Sequence, residues 1–421
     1  MSMKVLLLGG GGREHAIAWK LRQSPRLKTL WVAPGSEAMA PAAERVALDP
    51  LDPAAVAAFV RERKVDLVFV GPEAPLAAGS SDAARAAGAL VFGPSQSAAR
   101  LETSKAFAKE FMKASGVPTA RALSCSSVAQ AKDAVRAFGG RCAVKADGLA
   151  AGKGVVVCGA VAEAEAAVDA LGATAAGRVL VVEERMEGPE LTVMMLVDGR
   201  AYAVLPLSQD HKRLRDGDAG PNTGGMGALC PAPVDDALWK RVETEILDRT
   251  LAGLVKDGFD YRGALYVGVM LTPDGPRVLE YNARFGDPET QAVLPMLDAD
   301  LLSLAAAAAA GALAPGRLPV KPGACVGVTL SSPGYPESPK PGAELDLSGA
   351  DGLKDALIFH AGTKKSAAGW TAAGGRVLTV VGLGCDLPAA RARAYDAVSR
   401  LKVPGLHYRR DIAAKVLGRA A

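Results

Sequence analysis

The first hundred or so residues alternate apolar runs with amphipathic stretches. Residues 5–8 form an unbroken apolar run that reads as a buried strand, and residues 14–23 place apolar positions at helical spacing. The strand signal returns at 30–33, 65–70 and 89–92, the last two each closed by Gly-Pro. This βαβ rhythm predicts a parallel sheet with its ligand site beyond the carboxyl ends of the strands. The rhythm breaks near Pro94.

The pattern then changes. Residues 96–114 predict a helix, ended by Gly116 and Pro118. Strands at 141–145, 154–158 and 178–184 enclose a helix at 160–171, so residues 119 to about 190 predict a compact unit. Beyond 191 the strands lengthen and meander. Residues 265–271 and 277–282, joined by Pro273-Asp274-Gly275, predict a hairpin. Residues 301–314 predict an Ala-rich helix too short to span a bilayer. The Pro- and Gly-rich stretch 314–323 leads into a last unit of about a hundred residues.

Composition narrows the class. A chain of 421 residues predicts two to four domains, and 49% apolar with 22% charged residues excludes a wholly disordered protein. Forty-nine basic against 45 acidic residues leave a net charge of only +4. That balance argues against nucleic-acid binding, although the cations can gather in one anion-binding cleft. Six cysteines without a C-x-x-C pair argue against a disulfide framework or zinc site and point to the cytoplasm. The apolar run at the start is too short for a signal peptide. No membrane partner is expected.

Five stretches carry candidate chemistry. Gly9-Gly10-Gly11-Gly12-Arg13 lies between a strand and a helix, where backbone N–H groups and the helix dipole suit a phosphate. The dinucleotide pattern G-x-G-x-x-G fails there, because Glu14 or His15 fills its third slot. Lys145, the loop 147–152 with Gly148 and Gly152, and then Lys153-Gly154 put two lysines on a glycine-rich connection suited to a triphosphate. That loop is not a Walker A loop: its glycines are one residue too close, and Gly154 stands where Ser or Thr would meet Mg²⁺. Glu183 and Glu190 flank the turn Gly188-Pro189 and can return to one pocket, where a carboxylate accepts from an amino group or a ribose hydroxyl. Glu280 and Asn282 share a strand face, an oxygen pair suited to Mg²⁺, and Arg284 just beyond can grip a carboxylate or phosphate. Finally, Asp210-His211-Lys212 precedes a polar, glycine-rich stretch at 220–227 that reads as a substrate loop.

The order GGGGREHA, GPEAPL, SKAFAK, VKADGLAAGKGV, SQDHKR, GPNTGGMGA, EYNARFGDPETQ, FHAGTK and GGRVL closely resembles the glycinamide ribonucleotide synthetases, the phosphoribosylamine–glycine ligase family of the ATP-grasp superfamily. The match is collinear over essentially the whole chain. The resemblance implies an α/β protein: an N-terminal parallel-sheet βαβ domain (1–102), an ATP-grasp domain (103–325) with a small α+β lid at about 119–190, and a C-terminal α+β domain (326–421). It implies ligation of glycine to 5-phosphoribosylamine at the expense of ATP, in de novo purine synthesis, by a cytoplasmic monomer. It places Lys105, Lys145 and Lys153, with Gly152 and Gly154, on the ATP phosphates, and Glu183 and Glu190 on adenine and ribose. Glu280 and Asn282 would hold Mg²⁺ or Mn²⁺; Gly10, Gly11, Gly12, Arg13, Asp210, Lys212, Arg284 and Asp287 would surround the other substrates. Arg284 and Lys153 are the catalytic candidates. Departures from the family pattern fall at Ser36-Glu37, Arg185-Met186 and Thr192.

Overall fold

In the computed structural model, residues 2–149, 154–366 and 369–418 are described. The first strand, Met3–Gly9, lies at the centre of a five-stranded parallel sheet. Leu27–Pro34 and Leu67–Val70 flank it, with Glu44–Arg45 and Leu90–Phe92 at the edges. Its central strands are apolar because helices cover both faces, as a parallel sheet requires. Val5 through Leu8 are fully buried. The predicted strand and helix alternation is present, and the first helix is Gly12–Leu21.

The predicted helix at 96–114 is two helices, Arg100–Thr103 and Lys105–Ala114. The break is at Ser104, whose backbone is extended and whose Oγ accepts from the Phe107 N–H at 3.1 Å. This is an N-cap, which stabilises a helix start by satisfying an orphan donor. It makes Lys105 the first helical residue.

Residues 122–184 contain a four-stranded antiparallel sheet in the order Ala122–Cys125, Leu180–Glu184, Cys142–Ala146, Val155–Val157. Helices Val128–Ala137 and Val161–Gly172 pack on it. Ala131, Val135, Val144, Val168 and Val182 form a core separate from the rest of the molecule. A unit with its own small core can move as a body.

A second five-stranded sheet contains the long hairpin Arg262–Thr272 and Gly275–Asn282, then Glu190–Asp198, Tyr202–Val204 and Gly316–Arg317. Gly316–Arg317 thus gives the Pro- and Gly-rich stretch a sheet partner. In the hairpin, Gly268 pairs with Glu280 but Val269 pairs with Val278, so Leu279 is an extra residue. The third five-stranded sheet mixes regions far apart in sequence: Gln209–Asp210 and Gly227–Cys230 continue into Ala324–Ser331, Arg376–Gly384 and Ala356–His360. Through this sheet the last hundred or so residues reach the loop that begins at Asp210. The six cysteines are unpaired thiols. Among the described residues, no helix is long and apolar enough to cross a membrane.

Candidate active site

The lid sheet, the central hairpin and the third sheet meet around a cavity of about 850 Å³. Lys105, Lys145, Glu190, Lys212, Glu280 and Asn282 all face it. Arg13, Gly154, Glu183, Asp210, Arg284 and Asp287 line it as well. Gly10, Gly11 and Gly12 do not belong to this lining. Gly152 and Lys153 lie outside the described residues.

The lysine-rich side is built from two elements. Lys145 comes from the lid strand Cys142–Ala146, and Lys105 from the first turn of its helix. Lys145 Nζ is 2.9 Å from Glu183 Oε1 and donates to the Leu279 carbonyl at 3.2 Å. The extra hairpin residue therefore supplies an acceptor to the lid lysine. Lys109, one turn beyond Lys105, pairs with Glu183 Oε2 at 3.1 Å. Both Glu183 oxygens thus hold lysines, and the residue is only 2% exposed. Its carboxylate holds these two lysines at the edge of the cavity that it lines. Glu190, at the start of the next strand, is the carboxylate nearer open space. Lys105 Nζ donates to the Gly148 carbonyl at 3.2 Å, and burial lowers its pKa. Asp147, which opens the glycine loop, accepts from the Ala106 N–H at 2.7 Å and from Ser104 Oγ at 3.1 Å. The loop is therefore tethered to the helix N-terminus at its first residue.

The hairpin brings Glu280 to the same cavity. Its Oε1 accepts from Lys212 Nζ at 3.2 Å, and the same nitrogen lies 3.1 Å from Glu190 Oε2. Lys212 lowers the Glu280 pKa to about 2; burial opposes the shift, while Lys145 and Lys105 reinforce it. Glu280 is thus fully ionised at neutral pH. Asn282 follows on the same strand face, as alternation predicts.

Arg284 is held on three sides by protein groups. It donates from Nε to Glu73 Oε2 at 3.0 Å and from Nη1 to the Phe285 carbonyl at 3.0 Å, and its Nη2 lies 2.8 Å from Glu102 Oε1. Burial opposes its charge, but Glu102 and Glu73 outweigh it and raise the pKa. The guanidinium therefore ties Glu73 of the first domain to the hairpin end. Any grip on a substrate must use its remaining N–H capacity. Asp287 is similarly held: Gln291 Nε2 donates to Oδ1 at 2.7 Å and Arg376 Nη2 to Oδ2 at 2.7 Å. Asp210 is different. Burial, with Glu289 next, raises its pKa well above the usual carboxylate range.

The glycine-rich turn is tight for a local reason. Gly9 has φ +120°, and a Cβ there would lie 2.6 Å from Glu14 Cγ. Glu14 folds back, and its Oε2 accepts from the Gly11 N–H at 2.8 Å. One donor expected to cradle a phosphate is therefore satisfied internally. A Cβ on Gly12 would lie 2.8 Å from Gln291 Nε2, so this turn packs closely on the helix Glu289–Met296. Arg13 alone of these residues reaches the cavity, with Nη1 donating to the Phe285 carbonyl at 3.2 Å.

The sequence reading missed Lys109, Arg376, Tyr335, Glu73 and Glu102. Lys109 had a local signal, its i,i+4 spacing from Lys105 on one helix face. Arg376 had only its place in the motif GGRVL, which gave no sign of its partners: it donates to the carbonyl of Asp287 at 2.6 Å from a strand 89 residues further on, and it also bonds the Gly224 carbonyl. Tyr335 Oη accepts from the Gly224 N–H at 2.9 Å. The glycine-rich loop at 220–227 is clasped by Tyr335 and Arg376 of the last domain.

Three family models cover the chain in order: Phosphoribosylglycinamide synthetase, N domain, over 3–102; its ATP-grasp (A) domain over 103–290; and its C domain over 325–415. The chain belongs to the phosphoribosylglycinamide synthetase family. Relatives named phosphoribosylamine–glycine ligase agree over full length. The Rhodopirellula baltica protein is 44% identical over 98% of each chain, and the Agrobacterium fabrum protein 44% identical over 99% of each. The crystal structure of the Thermotoga maritima phosphoribosylamine–glycine ligase superposes with a TM-score of 0.85 at 32% identity, covering 97% of this chain and 100% of that one. A Campylobacter jejuni biotin carboxylase shares the fold at a TM-score of 0.73 and 16% identity, covering 97% and 93% of the two chains. Most of the residues lining the cavity fall within the stretch matched by the ATP-grasp (A) domain, beside the small sheet with its own core.

Proposed function

We propose that this chain ligates glycine to 5-phosphoribosylamine with ATP, forming glycinamide ribonucleotide, ADP and phosphate, as a cytoplasmic monomer in purine synthesis. The full-length family match supports the reaction, and one observation carries the site: Lys105, Lys145, Lys212, Glu190, Glu280 and Asn282 converge on one cavity. The working division is 1–102 for the amine-side domain, 103–325 for the ATP-grasp domain and 326–421 for the domain that clasps the substrate loop.

The metal assignment rests on the donor set. Glu280 is a carboxylate kept ionised by lysines, with the Asn282 amide on the same face. Among the described residues, no group of three or more His, Cys, Asp or Glu side chains could hold a cation by itself. Two protein oxygens completed by phosphate oxygens and water fit Mg²⁺ or Mn²⁺. Such an ion supplies Lewis-acid neutralisation of the transferring phosphoryl group when bound.

The residues of the chain do the rest. Lys105 and Lys145 lie where they can neutralise phosphate oxygens, and Glu183 holds Lys145 and Lys109 in place. Glu190 is the candidate partner of the ribose hydroxyls. A glycine carboxylate oxygen attacks the γ-phosphorus of ATP, the bond to the bridging oxygen breaks, and ADP leaves. The amine of phosphoribosylamine then attacks the glycyl phosphate carbonyl, loses a proton and expels phosphate. Arg13, Asp210, Lys212, Arg284 and Asp287 are the proposed wall around these two substrates, with Gly10, Gly11 and Gly12 shaping the turn behind Arg13. Holding both reactants together can contribute about 7–11 kcal/mol to lowering the barrier. Closure of the lid over Gly154 would keep water from the acyl phosphate.

The deciding assay supplies freshly prepared phosphoribosylamine, glycine and Mg-ATP and follows ADP release. ADP release dependent on all three supports the reading. Release that ignores glycine or the amine rejects it.

A further inference from the structure

Lys212 stands at the junction between the third sheet and a small ribbon. It precedes the strands Arg213–Arg215 and Ala219–Asn222, which form a two-stranded ribbon joined to no other sheet. A lone ribbon of this size is at best marginally stable in water. Thr223 closes its base, its N–H and Oγ1 each donating to the Lys212 carbonyl at 2.8 Å. Something else must fix the ribbon against the cavity.

That support comes from residues 407–415. His407 exchanges backbone hydrogen bonds with Ser331 of the third sheet at 2.8 Å, and Tyr395 Oη donates to the Arg409 carbonyl at 2.8 Å. The segment is therefore anchored to the body of the last domain. From this base Arg409 reaches the ribbon. Its Nη1 donates to the Arg213 carbonyl at 3.1 Å and to Asp218 Oδ1 at 2.7 Å. Its Nε and Nη2 grip the two Asp411 oxygens, each at 2.8 Å. Asp411 Oδ2 in turn accepts from the Gly217 N–H at 2.8 Å, and Asp216 Oδ1 from the Arg410 N–H at 2.7 Å. His407 Nε2 donates to the Leu214 carbonyl at 2.8 Å, and Lys415 pairs with Asp218.

Arg409 is 0% exposed. Burying a guanidinium costs free energy that its partners only roughly recover, so such a network is weak evidence for stability alone. A bidentate fork that grips Asp411 and reaches two ribbon residues does fix geometry. We propose that Arg409 is a positioning residue for the reaction: through Asp218 and Asp411 it sets the ribbon so that Lys212 stands between Glu190 and Glu280. The proposal rests on the ligase reading for its assay, and wild-type turnover tests that reading separately.

The test is a set of double-mutant cycles on the full chain. Asp218→Asn and Arg409→Lys are each made alone and in a Lys212→Met background, and kcat/KM is measured. Arg409→Lys keeps the charge but loses the fork. Each single change is expected to lower kcat/KM by about 10-fold or more, and to do so by less than about twofold once Lys212 is gone. Residues that act as a unit are non-additive in this way. Hydrogen exchange should quicken in 213–222 and stay unchanged in 122–146. Penalties that multiply in the Lys212→Met background, or single variants with wild-type kcat/KM, overturn the proposal. If Arg409→Lys does not fold, Asp218→Asn and Lys415→Met, both nearer the surface, complete the same cycles.

Discussion

Lys212 donates to Glu280 Oε1 at 3.2 Å, so the carboxylate best placed for a divalent cation already holds a cation of the protein. The two charges explain each other. Lys212 keeps Glu280 ionised, and Glu280 with Glu190 holds the lysine at the seam between the hairpin and the loop that follows Asp210. On the proposed reading, nucleotide and metal meet a Glu280 that is already ion-paired, so their binding includes an exchange of partners.

Glu280→Gln is therefore expected to lower kcat by about 10²–10³-fold, the scale of a lost electrostatic contribution to a transition state. The amide keeps the shape, so circular dichroism should stay near wild type. Turnover is measured across a magnesium titration. Near-normal rates at any magnesium concentration would remove Glu280 from the metal assignment.

Arg376 offers a second test, because it contacts the site from the last domain. It holds Asp287 Oδ2 at 2.7 Å and bonds the Gly224 carbonyl. Hydrogen bonds to charged groups contribute about 1.5–3 kcal/mol each. Arg376→Met is expected to lower kcat/KM for glycine and phosphoribosylamine by about 10–100-fold while changing the KM for ATP by less than about threefold. An effect confined to ATP would mean that the clasp serves the nucleotide instead.

Much of this site was legible locally. Alternation placed Glu280 and Asn282 on one face because a strand repeats every two residues. The lysines flanking the glycine loop were visible because strand ends and glycines are local signals. The helix break at Ser104 was also local, since an N-cap serine before Lys105 is written in the sequence, yet the apolar periodicity runs through it. Other features were not legible. The bulge at Leu279 depends on register with a partner strand. Glu183 reads as a free acid until its two lysines fold onto it. Arg376, Tyr335 and Arg409 act across tertiary contacts that no periodicity encodes.

Stability should depend on pH through three histidines. Burial lowers the pKa of His15, His211 and His360 from 6.5 to about 4 each. The folded state holds them neutral, while the unfolded chain protonates them below pH 6.5. The unfolded state then binds more protons, so stability is fully present above 6.5 and is lost as pH falls toward 4. Each group contributes a slope of up to about 1.4 kcal/mol per pH unit in that window. Urea unfolding at pH 7, 6 and 5 measures it. The raised carboxyl of Asp210 acts in the opposite sense, so the direct check is imidazole NMR: resonances of these histidines that titrate near pH 6.5 in the folded chain would contradict the buried neutral state.

Glycine carries no side chain, so its selection depends on excluding a methyl group. Steric discrimination of that size yields about 1–3 kcal/mol, or roughly 10–200-fold. L-Alanine is expected to be a measurable but poor substrate by kcat/KM. Equal efficiency for the two amino acids would mean that the true acid is another compound.

The order of bond making can be read from oxygen. If the glycine carboxylate attacks the γ-phosphorus, one of its oxygens becomes the bridge of glycyl phosphate. That oxygen leaves with phosphate when the amine displaces it, because the carbonyl carbon keeps only the other. Glycine labelled with ¹⁸O in its carboxylate should therefore transfer one labelled oxygen to each phosphate released. The cations at Lys105 and Lys145, which line the cavity with Glu280, suit transfer to such an acceptor because charge spreads over the phosphoryl oxygens as the bonds exchange. Phosphorylation of the sugar amine, or attack by water on ATP to drive lid closure, would release phosphate without the label. Mass analysis of the phosphate after a single turnover separates these routes. Normal product formed alongside unlabelled phosphate would overturn the acyl-phosphate step while leaving the substrates assigned.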